Sequence, residues 1–332
     1  MKEEEVRPLT LFNRYLELAR QDCASLLLEK HDFVDVDCPA CAAPKKHPAF
    51  EKIGFRYVLC DKCETLYVSP RPTPNQLNEF YSGAKSVRFW SEHFYRETSE
   101  ARREKIFSPR AELVQSIASK FPANRSMIVD VGAGYGVFLE ESQRLNSFDR
   151  FVAIEPNPEL ADECRRRSFE VVQSRVEDIA VGTIQAGCAV AFEILEHVFS
   201  PLDFLIAIRN LLSPGGILLL TTLTVTGFDI QVLWEHSKSV HPPHHINLVS
   251  VRGLERLMDR AGLRIVEILT PGQLDVDIVL NASREDSKLP LPRFVSQLLK
   301  SDDQTRQDFQ QFLSGHRLSS HVRVIATPTP RE

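Results

Sequence analysis

Apolar residues recur every three or four positions at Phe12, Leu16, Ala19, Cys23 and Leu27. That period predicts a helix over about residues 8–30 with one buried stripe. Cys23 sits on the stripe, so core packing is its expected task. Residues 36–68 lack this period and hold short β-like pieces such as Tyr57-Val58-Leu59. The prolines of Ser69-Pro70-Arg71-Pro72-Thr73-Pro74 lack the N–H donor of regular helix or central strand, so this stretch reads as a link. Residues 86–121, rich in charge and aromatics, read as largely helical.

From Ser126 the pattern changes to strand, turn, helix. Buried strands are expected at 127–131, 151–154, 169–172, 189–192 and 217–222, with helices over 137–145, 158–167 and 201–212 between them. A helix over 251–261 stopped by Gly262, a strand over 263–269 and a last strand over 321–326 complete the pattern. Alternation at this spacing predicts an α/β fold with a doubly wound, mostly parallel, seven-stranded sheet. The expected organisation is an N-terminal helix at 1–34, a small module at 35–80, a helical connector or lid at 81–124 and a ligand-binding domain at 125–332.

The chain has 332 residues, a formal net charge of −5, 43% hydrophobic and 26% charged residues. This is an ordinary globular composition. The acidic balance argues against nucleic acid as the main partner. The start, Met1-Lys2-Glu3-Glu4-Glu5, is followed by no apolar run, so no signal peptide is expected. The apolar run at Ile217–Leu220 is too short for a membrane span.

Seven cysteines are present, four of them in Cys38-x-x-Cys41 and Cys60-x-x-Cys63, with 18 residues between the pairs. Two intervening residues let both thiolates of a pair grip one tetrahedral ion, and two such turns complete a four-cysteine site. A structural zinc is the expected occupant, since no coordination position is left for catalysis. The other reading is buried thiols or two disulfides. Paired rather than spread cysteines favour a reducing, cytoplasmic setting. Lys45, Lys46, His47, Lys52 and Arg56 lie between the pairs, as a patch for an anionic ligand or as a solvated loop.

The chief chemical signal is Asp130-Val131-Gly132-Ala133-Gly134-Tyr135-Gly136, between a strand and a helix. Glycines there let the backbone turn tightly and approach a ligand. A dinucleotide loop would place its last glycine at position 137, which is Val137. Glu155 follows the second strand of this region, 19 residues after Gly136, where a carboxylate can accept both ribose hydroxyls. Phe192-Glu193-Ile194-Leu195-Glu196-His197 and Leu212-Ser213-Pro214-Gly215-Gly216 follow in order.

Together these blocks resemble the class I S-adenosylmethionine (SAM)-dependent methyltransferases. The resemblance covers residues 126–270 and implies a Rossmann-like fold. It implies cofactor contacts from Asp130, Gly132, Gly134, Gly136, Glu155, Pro156 and Glu193. Many members carry an acidic residue for the adenine amino group where this chain has Arg175, which leaves the backbone of Val176 and Glu177 for that task. The cysteine module ahead of such a domain resembles a bacterial subgroup that includes sugar C-methyltransferases, which implies a sugar, sugar nucleotide or secondary metabolite as acceptor.

A proton acceptor would come from His241-Pro242-Pro243-His244-His245 or from Glu196-His197. His245 is the first choice, because His245-Ile246-Asn247 resembles a recurring family segment; His244 and His197 are the others. The plainer readings are histidines that order loops. Trp90, Phe94, Tyr95 and Arg102 read as a lid or as core packing. Alternative functions are an RNA methyltransferase using the cysteine module for binding, or a non-catalytic SAM-binding regulator. The sequence leaves the acceptor atom and the oligomeric state open.

Overall fold

A computed structural model describes residues 2–120 and 125–330. The end of the helical stretch expected over 86–121, and the boundary drawn at 124/125, involve residues 121–124, outside the described residues. Contacts divide the chain into two compact units. The first comprises Met1–Arg96, Thr222–Leu254 and Leu269–Arg323; the second comprises Glu97–Thr221, Glu255–Ile268 and Val324–Glu332.

In the first unit, α1 (Glu3–Val6) precedes α2 (Leu9–Leu27), which buries Phe12, Tyr15, Leu18, Ala19, Cys23 and Leu26 on one face. Cys23 is fully buried and its thiol donates to the Pro242 carbonyl at 3.3 Å, so it packs as expected. Strands β1 (Lys46–Lys52) and β2 (Phe55–Cys60) form a hairpin in which Lys52 pairs with Phe55. Its two-residue loop, Ile53-Gly54, has φ of 52° and 78°, the left-handed pair that a tightly twisted hairpin requires. β3 (Leu66–Val68) and β9 (Asn247–Leu248) extend the sheet in the order β1-β2-β3-β9.

The link at 69–74 runs into a helix. Pro74 opens α3 (Pro74–Gly83) at its first turn, where a missing N–H costs nothing. Thr73 and Gln76 cap each other, at 3.3 and 2.9 Å. After α4 (Lys85–Phe89) comes a π-helical turn over Trp90–Tyr95, on which Trp90 stacks with Phe94 at 4.0 Å. Trp90 meets Tyr15 at 4.9 Å, so these aromatics pack against α2. The unit is completed by α10 (Phe228–Leu233), α12 (Asp275–Glu285), α13 (Arg293–Leu299) and α14 (Asp303–Gly315), gathered on Leu233, Val276, Val279, Val295, Leu299 and Leu313.

The second unit holds the α/β pattern. Its helices are α5 (Arg96–Arg102), α6 (Ser108–Ser119), α7 (Val137–Arg144), α8 (Pro158–Arg166), α9 (Pro201–Leu211) and the greater part of α11 (Val251–Arg260). The strands are β4 (Ile128–Val131), β5 (Phe151–Ile154), β6 (Glu170–Val172), β7 (Ala186–Phe192), β8 (Leu212–Leu223), β10 (Leu263–Leu269) and β11 (His321–Pro328). They form the expected seven-stranded sheet, in the order β10-β11-β8-β7-β4-β5-β6. β4 pairs in parallel with both β5 and β7, so the winding reverses at β4. Ligands of doubly wound sheets bind outside the carboxyl end of the strand at such a reversal.

β8 begins at Leu212, five residues before the strand expected at Ile217. Leu212 pairs with Ala186 and Ile217 with Cys188, so Pro214-Gly215-Gly216 is taken up as a register shift inside the strand. Gly215, at φ 76°, supplies the left-handed residue. The core of this unit gathers Val114, Phe138, Leu139, Val190, Ile217 and Leu219.

Leu219 is 1% exposed. Leu219→Ala is therefore expected to lower unfolding stability by about 2–5 kcal/mol. Urea denaturation followed by circular dichroism checks this; a midpoint equal to the parent's would contradict the assigned core.

Candidate cofactor site and cysteine cluster

The loop between β4 and α7 holds Gly132, Gly134 and Gly136 at φ of 76°, 55° and 69°. A Cβ on Gly132 would sit 2.6 Å from Ile194 Cδ1, and one on Gly136 would crowd Cys164 and Phe169 at 3.2–3.3 Å. These two glycines are therefore demanded by packing as well as by φ. A Cβ on Gly134 would meet nothing within 4 Å. Of the three glycines, this one alone faces open space on its side-chain side.

Glu155, at the end of β5, closes the loop. Its two carboxylate oxygens accept from the amides of Gly134 and Asn157, each at 2.9 Å. Asn157 in turn caps α8, accepting from the amides of Glu159 and Leu160, with Pro158 as the first helical residue. Pro156 lies between the two anchors. Burial raises the Glu155 pKa to about 6 against those two amides. Asp130, on β4, is 3% exposed and raised to about 7 by burial and then by the Glu155 charge. Two buried acids this close favour a ligand that brings hydroxyl donors or positive charge.

Glu193 follows β7 with φ of 56°, a strained conformation for a residue with a side chain. Its carboxylate accepts from Thr221 Oγ1 at 2.7 Å and from Arg110 at 2.9 Å. The Arg110 guanidinium also lies 4.7 Å over the Phe192 ring. Val176 and Glu177 form a short 3₁₀ turn after β6, with Val176 buried, and Arg175 turns toward Glu177 and Asp178. His197 is half-buried in the turn after β7, its amide bonded to the Ile194 carbonyl at 2.9 Å, and Glu196 beside it is buried.

His244 and His245 belong to the first unit. His244 is enclosed by Tyr15, Phe80, Tyr81 and His241, with ring centroids 4.9–5.7 Å away. Burial and the neighbouring histidines push its pKa well below the usual range, so it is a neutral core residue at physiological pH. His245 is half-buried and its Nδ1 lies 2.6 Å from the Ser239 carbonyl. A carbonyl only accepts, so Nδ1 carries a proton. Tyr57 donates to the His245 carbonyl at 2.8 Å and fixes the loop.

In the same unit the four thiols of Cys38, Cys41, Cys60 and Cys63 converge within 4.8 Å of one another. No disulfide joins them: the close pairs are Cys38–Cys63 at 3.5 Å and Cys41–Cys60 at 3.6 Å. The two turns repeat one geometry. Ala42 and Glu64, each just after its pair, have φ of 55° and 61° and donate to the carbonyls of Cys38 and Cys60 at 2.8 and 2.9 Å.

Arg110, Thr221 and Asn157 escaped the sequence reading. Asn157-Pro158 carries a cap signal that could have found the last. The first two are visible only once α6 and β8 are set beside β7. Among the described residues no helix is long and apolar enough to cross a membrane.

Many doubly wound sheets hold adenosine-containing ligands, and the loop after the strand at the reversal separates them. Here it places its third glycine at the head of α7 and Val137, a packed apolar residue, where a dinucleotide loop needs a glycine. Such a loop, with a ribose-type acid after β5, defines the class of SAM-dependent methyltransferases. A family described as a methyltransferase domain matches residues 99–268, and the chain belongs to it. It is 30% identical over 173 residues to the ubiquinone biosynthesis O-methyltransferase of Xanthomonas axonopodis pv. citri, covering 47% of this chain and 70% of that one. Its counterpart in Roseobacter denitrificans is 29% identical over 170 residues, covering 46% and 68%. Among solved structures, the O-methyltransferase from the trans-AT PKS multienzyme of Brevibacillus brevis, in complex with S-adenosyl-L-homocysteine, superposes with a TM-score of 0.48 at 16% identity, covering 71% of this chain and 76% of that one.

The raised acids make ligand-free stability depend on pH. Asp130 titrates near 7 folded and near the ordinary carboxylate value of about 4 unfolded. Between these values the folded state holds more protons, so stability falls as pH rises from about 4 to about 7, by up to about 1.4 kcal/mol per pH unit for each such proton. Asp130→Asn should flatten that slope. Thermal melts of ligand-free protein from pH 4.5 to 7.5 measure it; equal slopes in parent and variant would refute the assignment.

Proposed function

We propose that the protein transfers the methyl group of SAM to an oxygen of a small molecule, of the sugar, sugar-nucleotide or secondary-metabolite kind. The observation that carries the cofactor assignment is the Gly134–Glu155 pair: an open glycine bound to a buried carboxylate. The residues fit the group. Glu155 offers its remaining lone pairs to the ribose hydroxyls, and Asp130 supplies negative charge for a cationic ligand. Gly132, Gly134 and Gly136 keep side chains off the path, Pro156 turns the chain beyond Glu155, and Val176 and Glu177 present backbone to the adenine. Glu193, tied to Arg110 and Thr221, borders the methionine portion.

SAM brings an electrophilic methyl on a sulfonium. The chain's own work is alignment, exclusion of water and removal of the acceptor's proton. For that role we propose His245, whose ring is held at Nδ1 by the Ser239 carbonyl. His244, enclosed by rings, holds the loop, and His197 with Glu196 orders the turn after β7. An oxygen acceptor is supported by the relatives' names.

Zinc is the proposed occupant of the cysteine cluster. Four Sγ atoms around a tetrahedral ion lie about 3.8 Å apart, given a Zn–S bond of about 2.3 Å, close to the spacing of the facing pairs here. The ion would hold Cys38, Cys41, Cys60 and Cys63 and supply structure alone.

Calorimetric titration with SAM and S-adenosylhomocysteine is expected to show micromolar binding, weakened at least about tenfold by Gly134→Val and by Glu155→Ala. Absence of binding to a folded parent would remove the cofactor assignment. Native mass spectrometry should find one zinc per chain, and chelation should lower the melting midpoint by several degrees. A metal-free protein with an unchanged midpoint would dismiss zinc.

A further inference from the structure

A cavity of about 320 Å³ lies in the first unit, bordered by α12, by α1 and by the segment that follows α10. Ile278, Asn281, Ala282 and Glu285 line it from α12. They are three, four and seven positions apart, which is one face of a helix. Glu3 and Arg7 border it at α1, and Lys238 and Ser239 border it from the segment that holds His245. Every lining residue belongs to this unit, and none belongs to the glycine loop.

The polar groups around the cavity divide into those already paired and those not. The Arg7 guanidinium lies 3.5 Å from the Glu3 carboxylate. Lys238 donates to Glu285 at 2.6 Å and to Asn13 at 2.8 Å. The lysine and the arginine are thus spent on acids, and Asp286 adds another acid to the lining. An anionic ligand would meet more repulsion here than attraction. Asn281 is 7% exposed, and its amide nitrogen donates to Glu3 at 3.0 Å. A carboxylate only accepts, so the amide oxygen is the end not used by Glu3. Ser239 is also 7% exposed, its amide bonded to Ser237 Oγ and its carbonyl to His245 Nδ1. Among the described residues neither the Ser239 hydroxyl nor the Asn281 amide oxygen has a hydrogen-bond partner. Side chains buried this far normally have their polar atoms satisfied. Much of the remaining wall is aliphatic, from Leu9, Leu233, Ile278 and Leu289.

We infer that this cavity binds a single uncharged, polyhydroxylated ring of monosaccharide size. Ligand pockets begin at about 300 Å³, so the space takes one ring and excludes a nucleotide. The Ser239 hydroxyl and the Asn281 oxygen receive the ring's hydroxyls, and Leu233, Ile278 and Leu289 receive its C–H face. The inference concerns binding in the first unit and stands without the methyl-transfer reading.

The test applies saturation-transfer NMR to the full chain with methyl glucoside, inositol and glucose phosphate as probes. Transfer to the ring protons of at least one neutral probe is expected, with a dissociation constant of roughly a millimolar. Glucose phosphate should bind more weakly. Ser239→Ala, which deletes one hydroxyl and keeps the carbonyl, should weaken binding about fivefold. Ala282→Phe, which fills the cavity from α12, should abolish it. Thermal melts report that both variants fold; if Ala282→Phe does not, Ser239→Ala decides alone. No transfer to either neutral probe from the folded parent, or transfer that survives in the folded variants, overturns the inference. Tighter binding of glucose phosphate overturns the chemical class. A parent that binds the ring and ignores SAM leaves the inference standing and removes the cofactor assignment instead.

Discussion

The second unit is organised around one buried carboxylate. Glu155 accepts two backbone amides, one from the glycine loop and one from the turn into α8. It thereby joins the ends of β4 and β5 at the point where the sheet reverses. The loop cannot take its shape without this acceptor, because the Gly134 amide would otherwise lose its partner inside the protein. The arrangement is costly when empty, since burial resists the charge that the two amides need. The same tension makes the site receptive to a ligand carrying hydroxyls and positive charge.

Much of this was legible in the sequence. Phe151–Ile154 is a short unbroken apolar run and Ile128–Val131 is one interrupted only by Asp130; a helix follows each, the second opened by the Asn157-Pro158 start signal. Period and punctuation agree there, so the seven-stranded sheet follows from them. The glycine loop was readable because left-handed backbone leaves few alternatives to glycine. The Cys-x-x-Cys pairs were readable because ligand spacing is local.

What escaped has a common cause. Helices α10, α12, α13 and α14 bury narrow faces against one another, and their polar sides gave no clear period. Arg110 meets Glu193 across 83 positions of sequence, and nothing near either residue announces the other. His244 and His245 are neighbours in the chain, yet one is sealed among rings and the other is half-buried with Nδ1 bonded to the Ser239 carbonyl. Only the backbone path decides which. Lys46 and Lys52 lie six positions apart in one strand, yet one bonds to Asp35 and the other donates to the Ser237 carbonyl.

The first unit is threaded from three separate stretches of chain, with the sheet unit's sequence running between them. Glu3 accepts from Asn281 across 278 positions, and β3 finds its sheet neighbour β9 only after most of the chain has been made. Loops of that length close slowly. During synthesis the amino-terminal hairpin therefore emerges long before the strand and helices that complete its core. The cysteine turns need no such delay, since all four thiols lie within 26 residues of one another. A metal clip there would give the waiting segment a local fold of its own. On this account the cluster belongs to the order of assembly as much as to the finished enzyme.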